Sequence, residues 1–406
     1  MTMPWPTLAL EELASVQRGK FSARPRNDPK YYGGDIPFIQ TGDVANGAGR
    51  VRTYSQTLND DGLSVSKLFP RGSLVVTIAA NIGDVARVEF DFACPDSLVV
   101  VQANEGVNSD WLQYSLESKK ELLDSLAPQN AQKNINLEVL RPLALDVPPL
   151  GEQHRIAGAL GSWDDAIQKT EQLIAAKERH YSHELSRLIS RGHHPHAHVD
   201  TFAEEVSARN RDGKWRTVAL SDIATVWKGQ QLNKDAMVED GAYYALNGGI
   251  KPSGRTTEWN CEADTITVSE GGNSCGFVSY NRERFWCGGH CYAVTKLAKD
   301  VDAHYLFHYL KGKQSRVMAL RVGSGLPNIQ KSDIEAFPVV LPDLATQTAI
   351  ARYLNALREE IDLLGQSVTA LQTQKRGLMQ KLLTGQWRLK PEDSDPTTQT
   401  KEIANG

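Results

Sequence analysis

Residues 156–188 read IAGALGSWDDAIQKTEQLIAAKERHYSHELSRL, and residues 350–382 read IARYLNALREEIDLLGQSVTALQTQKRGLMQKL. In the first stretch Ile156, Leu160, Trp163, Ile167, Thr170, Ile174, Lys177, Tyr181, Glu184 and Leu188 alternate steps of four and three. The second holds Ile350, Leu354, Leu357, Ile361, Leu364, Val368, Leu371, Lys375, Leu378 and Leu382 in the same slots, 194 residues on. Such spacing is a heptad seam, a stripe too narrow for a broad core and suited to another helix. Each copy therefore predicts a long helix, and the obvious partner of each is the other. The apolar members of the two seams are the expected pairing positions, while Lys177 and Glu184 leave the first seam more polar.

Outward from the helices the repeat continues. Asn134-Ile135 precedes Pro148, Leu150 and Gln153, and Asn328-Ile329 precedes Pro342, Leu344 and Gln347 at the same spacings. Trp111-Leu112 and Tyr305-Leu306 open apolar runs near the same offset. At the front, Trp5-Pro-Thr-Leu-Ala-Leu matches Trp215-Arg-Thr-Val-Ala-Leu at an offset of 210, so the second copy is shorter by about sixteen residues. A period of this size is too long for a solenoid and reads as duplication of a lobe plus a helix. Strand-like runs at Ser73–Ile78 and Ser97–Val101 are followed by a helix from Asp110 to about Leu126, with Trp111, Leu112, Leu116 and Leu122 on its apolar side. The second lobe repeats this with Thr265–Val268, Cys291–Thr295 and a helix from Ala303 to about Val317. Each lobe is thus α+β. The long helices start at Gly151-Glu152 and after Pro342 and stop near Gly192 and Gly385, about forty residues or roughly 60 Å each.

The chain has 406 residues, with 40% hydrophobic and 23% charged, an ordinary soluble balance long enough for two or three cores. No apolar run approaches the roughly 18–20 residues of a membrane span, and the start shows no secretion signal, so the cytoplasm is the expected location. The formal charge of −4 argues against nucleic acid as a partner. Its distribution argues the other way, because Arg18, Lys20, Arg24, Arg26 and Lys30 face only Asp28 within thirteen residues. A solvated basic loop is the bland alternative. Nothing supplies a catalytic constellation: Gly312-Lys313-Gln314-Ser315 lacks the upstream glycine of a phosphate loop, and Pro95-Asp96 lacks the acid and lysine of a metal-dependent nuclease. Cys261, Cys275, Cys287, His290 and Cys291 are soft ligands within thirty-one residues, but no Cys-x2-Cys knuckle occurs, and buried thiols in a strand pair are the reading adopted, with no metal. His193 to His198 fall in a Pro-containing linker and are read as solvated.

Pro148-Pro-Leu-Gly-Glu-Gln153 with a helix ending Arg187-Leu-Ile-Ser-Arg-Gly192, and Pro342-Asp-Leu-Ala-Thr-Gln347 with a helix ending Gln380-Lys-Leu-Leu-Thr-Gly385, carry a resemblance to the specificity subunit of type I restriction-modification systems. It covers nearly the whole chain, from Trp5 to Trp387, with Asp343 in place of Pro149 as one departure. The resemblance implies two similar α+β target recognition domains alternating with two long helices that pair as an antiparallel coiled coil. The segments are then a first recognition domain over 1–149, a central spacer helix over 150–192, a linker over 193–213, a second recognition domain over 214–343, a distal spacer helix over 344–387 and a disordered tail over 388–406. It further implies a non-catalytic reader of a bipartite site in double-stranded DNA, joined by two modification (methyltransferase) and two restriction (endonuclease/translocase) subunits. S-adenosylmethionine, ATP and Mg are expected on those partners and no cofactor on this chain.

On that footing the first-lobe candidates are Lys20, Arg24, Arg26 and Lys30 for phosphates or guanine edges, and Tyr31, Tyr32, Gln40 and Asn81 for bases. Their second-lobe equivalents are Lys228, Gln230, Gln231, Asn233, Lys234, Tyr244, Asn247, Lys251, Arg255, Arg282 and Arg284. Any one of them alone is as well explained by simple exposure; the groups carry the expectation. Asn134 and Asn328, at equal distances before the long helices, are candidates to touch DNA or to cap the element that follows, and capping is the expectation adopted. The competing reading is a coiled-coil protein-protein scaffold without DNA specificity, which the acidic balance favours. An enzyme and a reader that works without partners complete the alternatives.

Overall fold

The computed structural model describes residues 4–79, 81–128, 133–189, 215–323, 325 and 327–389. The expected linker and the tail from residue 390 onward lie outside the described residues. Two compact units emerge, one from Met1–Lys169 with Val368–Gly406 and one from Thr170–Ser367. Each long helix, Leu150–Ile189 and Leu344–Leu383, is cut by this division and gives one half to each unit.

In the first unit the main sheet runs in the order Ala14–Arg18, Leu98–Ala103, Leu74–Thr77, Val85–Val88, Arg50–Val51. A smaller sheet orders Gln56–Leu58, Tyr32–Phe38, Phe92–Ala93, Leu68–Phe69. Leu74 to Val76 and Val99 to Val101 are buried on both faces, one side against Trp111 and Leu112, the other against Ile39 and Phe92. Thr7–Ala9 pairs with Ala144–Asp146 and ties the two ends of the lobe together. The helix Leu10–Leu13 follows, its entry fixed by Glu12 accepting from the Ala9 N–H at 2.7 Å.

The second unit repeats the plan. Its main sheet is Thr225–Lys228, Cys291–Thr295, Thr265–Ser269, Val278–Asn281, its small sheet Gly254–Thr256, Tyr243–Leu246, Phe285–Cys287, and its clasp Arg216–Ala219 with Pro338–Leu341. Asp222 accepts from Ala219 N–H at 2.9 Å, as Glu12 does in the first lobe. The registers coincide: Arg18 pairs with Val99 and Lys228 with Tyr292, Val76 with Val99 and Val268 with Tyr292. Among the described residues the strands Arg50–Val51 and Leu68–Phe69 have no second-lobe counterpart, which is where the second copy is shorter.

The repeated Gln has a structural role. Gln153 Nε2 donates to Pro148 O and its Oε1 accepts from Asn108 N–H; Gln347 does the same with Pro342 O and Asp302 N–H, all at 2.8–2.9 Å. One buried amide thus pins the start of each long helix to the start of the lobe's apolar helix, which explains its recurrence at that spacing. The departure at Asp343 is a helix cap: its carboxylate accepts from Thr346 N–H at 3.0 Å and Thr346 Oγ1 at 2.7 Å, and these bonds hold its pKa below the usual carboxylate range.

Four expectations need correction. The helix from Asp110 is two helices, Ser109–Glu117 and Lys120–Ser125, and the break resets the phase so that Leu123 is buried while Leu122 is 45% exposed. Ala303 to Val317 likewise divides into Ala303–Gly312 and Gln314–Met318. Asn134 and Asn328 do not cap: each makes an isolated β-bridge, to Ala79 and to Gly271 and Val322, and Asn136 is the residue whose side chain caps the next helix. Nor does the tail begin at 388, since Arg388 is held by both oxygens of buried Glu152 at 2.8 Å and lies over Trp5.

The seam is graded rather than uniform. Ile156, Leu160 and Leu382 are buried in the first lobe's core, and Leu188, Ile350 and Leu354 in the second's. Trp163, Ile167, Ile174, Leu357, Ile361, Leu364, Val368, Leu371 and Leu378 are half-buried, with Leu357 and Ile361 at the edge of the second lobe's core and Leu378 at the edge of the first's. In the first unit Asp164 meets Lys375 at 2.6 Å while Glu152 meets Arg388; in the second Lys177 meets Glu360 at 2.7 Å while Tyr181 meets Arg358. Rising numbers on one helix face falling numbers on the other within each unit, which is antiparallel pairing. The polar seam residue Lys177 is therefore satisfied across the pair, and Glu184 by Arg187 on its own helix.

Candidate nucleic-acid interface

The first strand of each main sheet ends in a charged residue and a glycine, Arg18-Gly19 and Lys228-Gly229. A Cβ on Gly19 would stand 2.2 Å from Pro95 O and 2.6 Å from Cys94 Sγ; one on Gly229 would stand 2.3 Å from Gly288 O and 2.4 Å from Cys287 O. Only glycine lets the chain cross so close to the loop that enters the neighbouring strand. Gly19 N–H then donates to Leu98 O and Gly229 N–H to Cys291 O, at 2.8 and 2.9 Å. The result in both lobes is a set of loops gathered at one end of the main sheet.

In the first lobe that end carries Lys20 and Arg24, both exposed, and Asn81, in the turn after Thr77. Gln40 follows the strand end at Phe38, beside Ala93, and its amide donates to Gln56 at 3.1 Å. Arg26 is there too, but clamped on both oxygens of Asp96 at 2.9 Å. Tyr31 and Tyr32 are half-buried: they pack on Phe21, and Tyr32 Oη donates to Arg26 O at 2.6 Å. Their rings hold the basic loop against the small sheet. Burial, partly offset by Arg26, raises the Tyr32 pKa, and Lys30 lies 4.8 Å over the Tyr31 ring, the hydrogen bond with that ring's hydroxyl raising its own pKa.

In the second lobe Lys228, Gln230, Gln231 and Asn247 come together. Gln230 is fixed by its backbone, N–H to Cys287 O and carbonyl from Trp286 Nε1, both at 2.9 Å, leaving its side chain exposed. Asn247 Oδ1 accepts from His290 N–H at 3.3 Å, and Lys251 is exposed on the loop that follows. Asn233 opens the short turn Lys234–Ala236; the Lys234 side chain lies outside the described residues.

Four second-lobe candidates are placed elsewhere. Arg255 is spent on Gly241 O and Ala242 O, at 2.5 and 3.0 Å, and Arg284 on Glu262 at 2.9 Å and the Trp259 ring. Tyr244 stacks on Phe285 at 5.5 Å in an apolar cluster, burial pushing its pKa up to about 12, and it lines a separate cleft together with Arg282. These side chains follow the same sequence cues as the rest, but Tyr244 and Arg255 are on strands of the small sheet and Arg282 and Arg284 on the loop between Val278–Asn281 and Phe285–Cys287.

One residue was missed. Glu270 is 4% exposed, with Lys228 Nζ at 2.6 Å and Tyr292 Oη at 3.0 Å on Oε1, and His290 Nδ1 3.8 Å from Oε2. It stands where the first lobe has Ile78: Ile329 N–H donates to Glu270 O as Ile135 N–H does to Ile78 O. Aligning the lobes through that contact is the signal that finds it, a carboxylate in an aliphatic slot. The second-lobe thiols are buried and divided, Cys261, Cys287 and Cys291 in one apolar cluster and Cys275 in another. Among the described residues no helix is long and apolar enough to cross a membrane.

Comparison with known proteins adds the following. The family model described as type I restriction modification DNA specificity domain matches residues 3–178 and 212–372. The type I restriction enzyme MjaVIII specificity subunit of Methanocaldococcus jannaschii is 34% identical over 340 residues, 78% of this chain and 79% of that one. A Mycoplasma pneumoniae protein named a type I specificity subunit is 30% identical over 177 residues, 43% of this chain but only 47% of its own length. The crystal structure of a type I restriction-modification system S subunit from M. genitalium superposes with a TM-score of 0.62 at 18% identity, covering 93% of this chain and 96% of that one, a likeness of fold.

Proposed function

The chain belongs to the type I restriction modification DNA specificity family, and from that premise we propose that it reads a bipartite target in double-stranded DNA, one lobe per half-site. The observation that carries this is the coincidence of the two loop sets: the same strand ends, with the same crossing glycine, deliver Lys20, Arg24 and Gln40 in one lobe and Gln230, Gln231 and Asn247 in the other. Exposed cations hold phosphates and carry no sequence information, while amide side chains read base edges in the major groove. On this reading the long helices are the spacer, suited to half-sites about one helical turn, roughly 34–36 Å, or a multiple apart. The chain is non-catalytic. Modification and restriction subunits would assemble on it and carry S-adenosylmethionine, ATP and Mg, in the cytoplasm.

Duplex binding measured over a salt series tests this. Replacing Lys20 and Arg24 with Ala should lower the slope of log affinity against log salt by about 0.9 for each phosphate left without its cation. Replacing Gln230 and Gln231 should relax base preference at one half-site with the slope unchanged. Absence of duplex binding at low salt would leave the protein-protein scaffold as the reading.

A further inference from the structure

The geometry points to a binding site in the second unit for a small phosphate-bearing ligand, in the cleft between the strand Val278–Asn281, the helix Ala303–Gly312 and the first half of the second long helix. The cleft encloses about 560 Å³. That lies within the roughly 300–1,000 Å³ of small-molecule sites and is far more than inorganic phosphate fills. Lys311 and Arg358, half-buried, face it from the inside; Arg282, Glu283 and Asp362 are exposed at its rim. None of the three cations has a carboxylate within 4.0 Å among the described residues. Lys311 sits 3.9 Å over Phe277 with its ammonium bonded to Val278 O at 3.0 Å and Gln314 at 2.9 Å, which fixes it in place without neutralising it. Burial, with Arg358 nearby, lowers its pKa to about 8, the mark of an ammonium short of counter-charge.

The first lobe shows what the same positions do when no ligand is wanted. By strand register and helix repeat Arg282 stands where that lobe has Glu89, Lys311 where it has Glu117, and Arg358 where it has Asp164. There each acid has an internal partner: Glu89 has Arg50 at 3.0 Å, Asp164 has Lys375 at 2.6 Å, and Glu117 accepts from Gln113 at 2.8 Å. In the second lobe the acids have become cations, and Tyr181 takes the slot of Lys375. The cationic partners Arg50 and Lys375 have no cationic counterpart there, but among the described residues no acid takes their place, so positive side chains face an open cleft. Guanidinium forks suit phosphate, and the rim carboxylates suit the hydroxyls of the group esterified to it.

Calorimetric titration of the full chain with inorganic phosphate, ribose 5-phosphate and adenosine monophosphate, against ribose and adenosine, tests the assignment. One phosphate ester should bind saturably at one site per chain, the neutral sugar and nucleoside should not, and Lys311→Met should weaken binding about tenfold or more. Arg282→Gln, at the exposed rim, should weaken it in the same direction with an unchanged melting temperature. Absence of saturable binding overturns the site, and so does binding untouched by both variants. Inorganic phosphate binding as tightly as the esters reduces it to an ion patch and overturns the ligand. Displacement of the ester by duplex DNA assigns the cleft to DNA instead. Duplex binding with a silent ester titration fails this inference alone, and the reverse result fails the reading of the loops alone.

Discussion

His308 is wholly buried between the two long helices of the second unit, Nδ1 2.9 Å from Tyr181 Oη and Nε2 2.9 Å from Asn355 Oδ1. Burial lowers its pKa from 6.5 to about 4, so the folded chain resists a proton that the unfolded chain takes up. Its contribution is therefore fully present above the unfolded value and is lost as pH falls from about 6.5 to about 4, by at most ~3 kcal/mol. Melting temperature measured against pH should fall across that window, and His308→Gln, which keeps both hydrogen bonds in reach, should flatten it. An unchanged slope would place the acid sensitivity in other groups. At this scale the sequence revealed residue type but not direction. Lys20, Gln230 and Asn247 look no different in sequence from Arg255 or Tyr244, yet the first three are on loops at the sheet's end and the last two are held by backbone carbonyls and by a ring stack. Glu270 gives no cue in the sequence, because a lone acid after an apolar strand looks like the strand's exposed end, whereas here a lysine, a tyrosine and a histidine close over it.

Among the elements the heptad seam was legible from end to end, and its grading was not. Leu354 is wholly buried in the second lobe's core, while Leu364, three turns on, is half-buried between helices. Leu354→Ala should cost about 2–5 kcal/mol in urea unfolding, since it opens a cavity in a packed core. Leu364→Ala, at a site that already meets water, should cost under about 2 kcal/mol. Equal losses would mean that the seam is one uniform layer. The repeated Gln marks the repeat in the sequence, and its hydrogen bonds show why it recurs: two partners distant in sequence need one amide between them. The break at Ser118-Lys119 had no such marker, because neither proline nor glycine announces it. The phase of the apolar residues, Leu123 rather than Leu122, was set by what lies beneath.

For the molecule as a whole, two units each with its own core predict separable reading. Exchanging residues 215–343 for those of a relative should change one half of the recognised target and leave the other, as read by profiling methylated bases in cells carrying the exchanged chain with its partners. A change in both halves would mean that the lobes do not read independently. Duplication, the order of lobe and helix, the length of both helices and their partnership were determined by the sequence alone, because periodicity and spacing survive in one dimension; the antiparallel direction was implied only by the family resemblance. Which candidates stand together at the sheet's end, which acids are already paired and which cations face a cleft were decided only by the tertiary structure. Those depend on strand register, on the pleat and on neighbours tens to hundreds of residues away, and a charge reversal shows its meaning only once the slot of the former partner is in view.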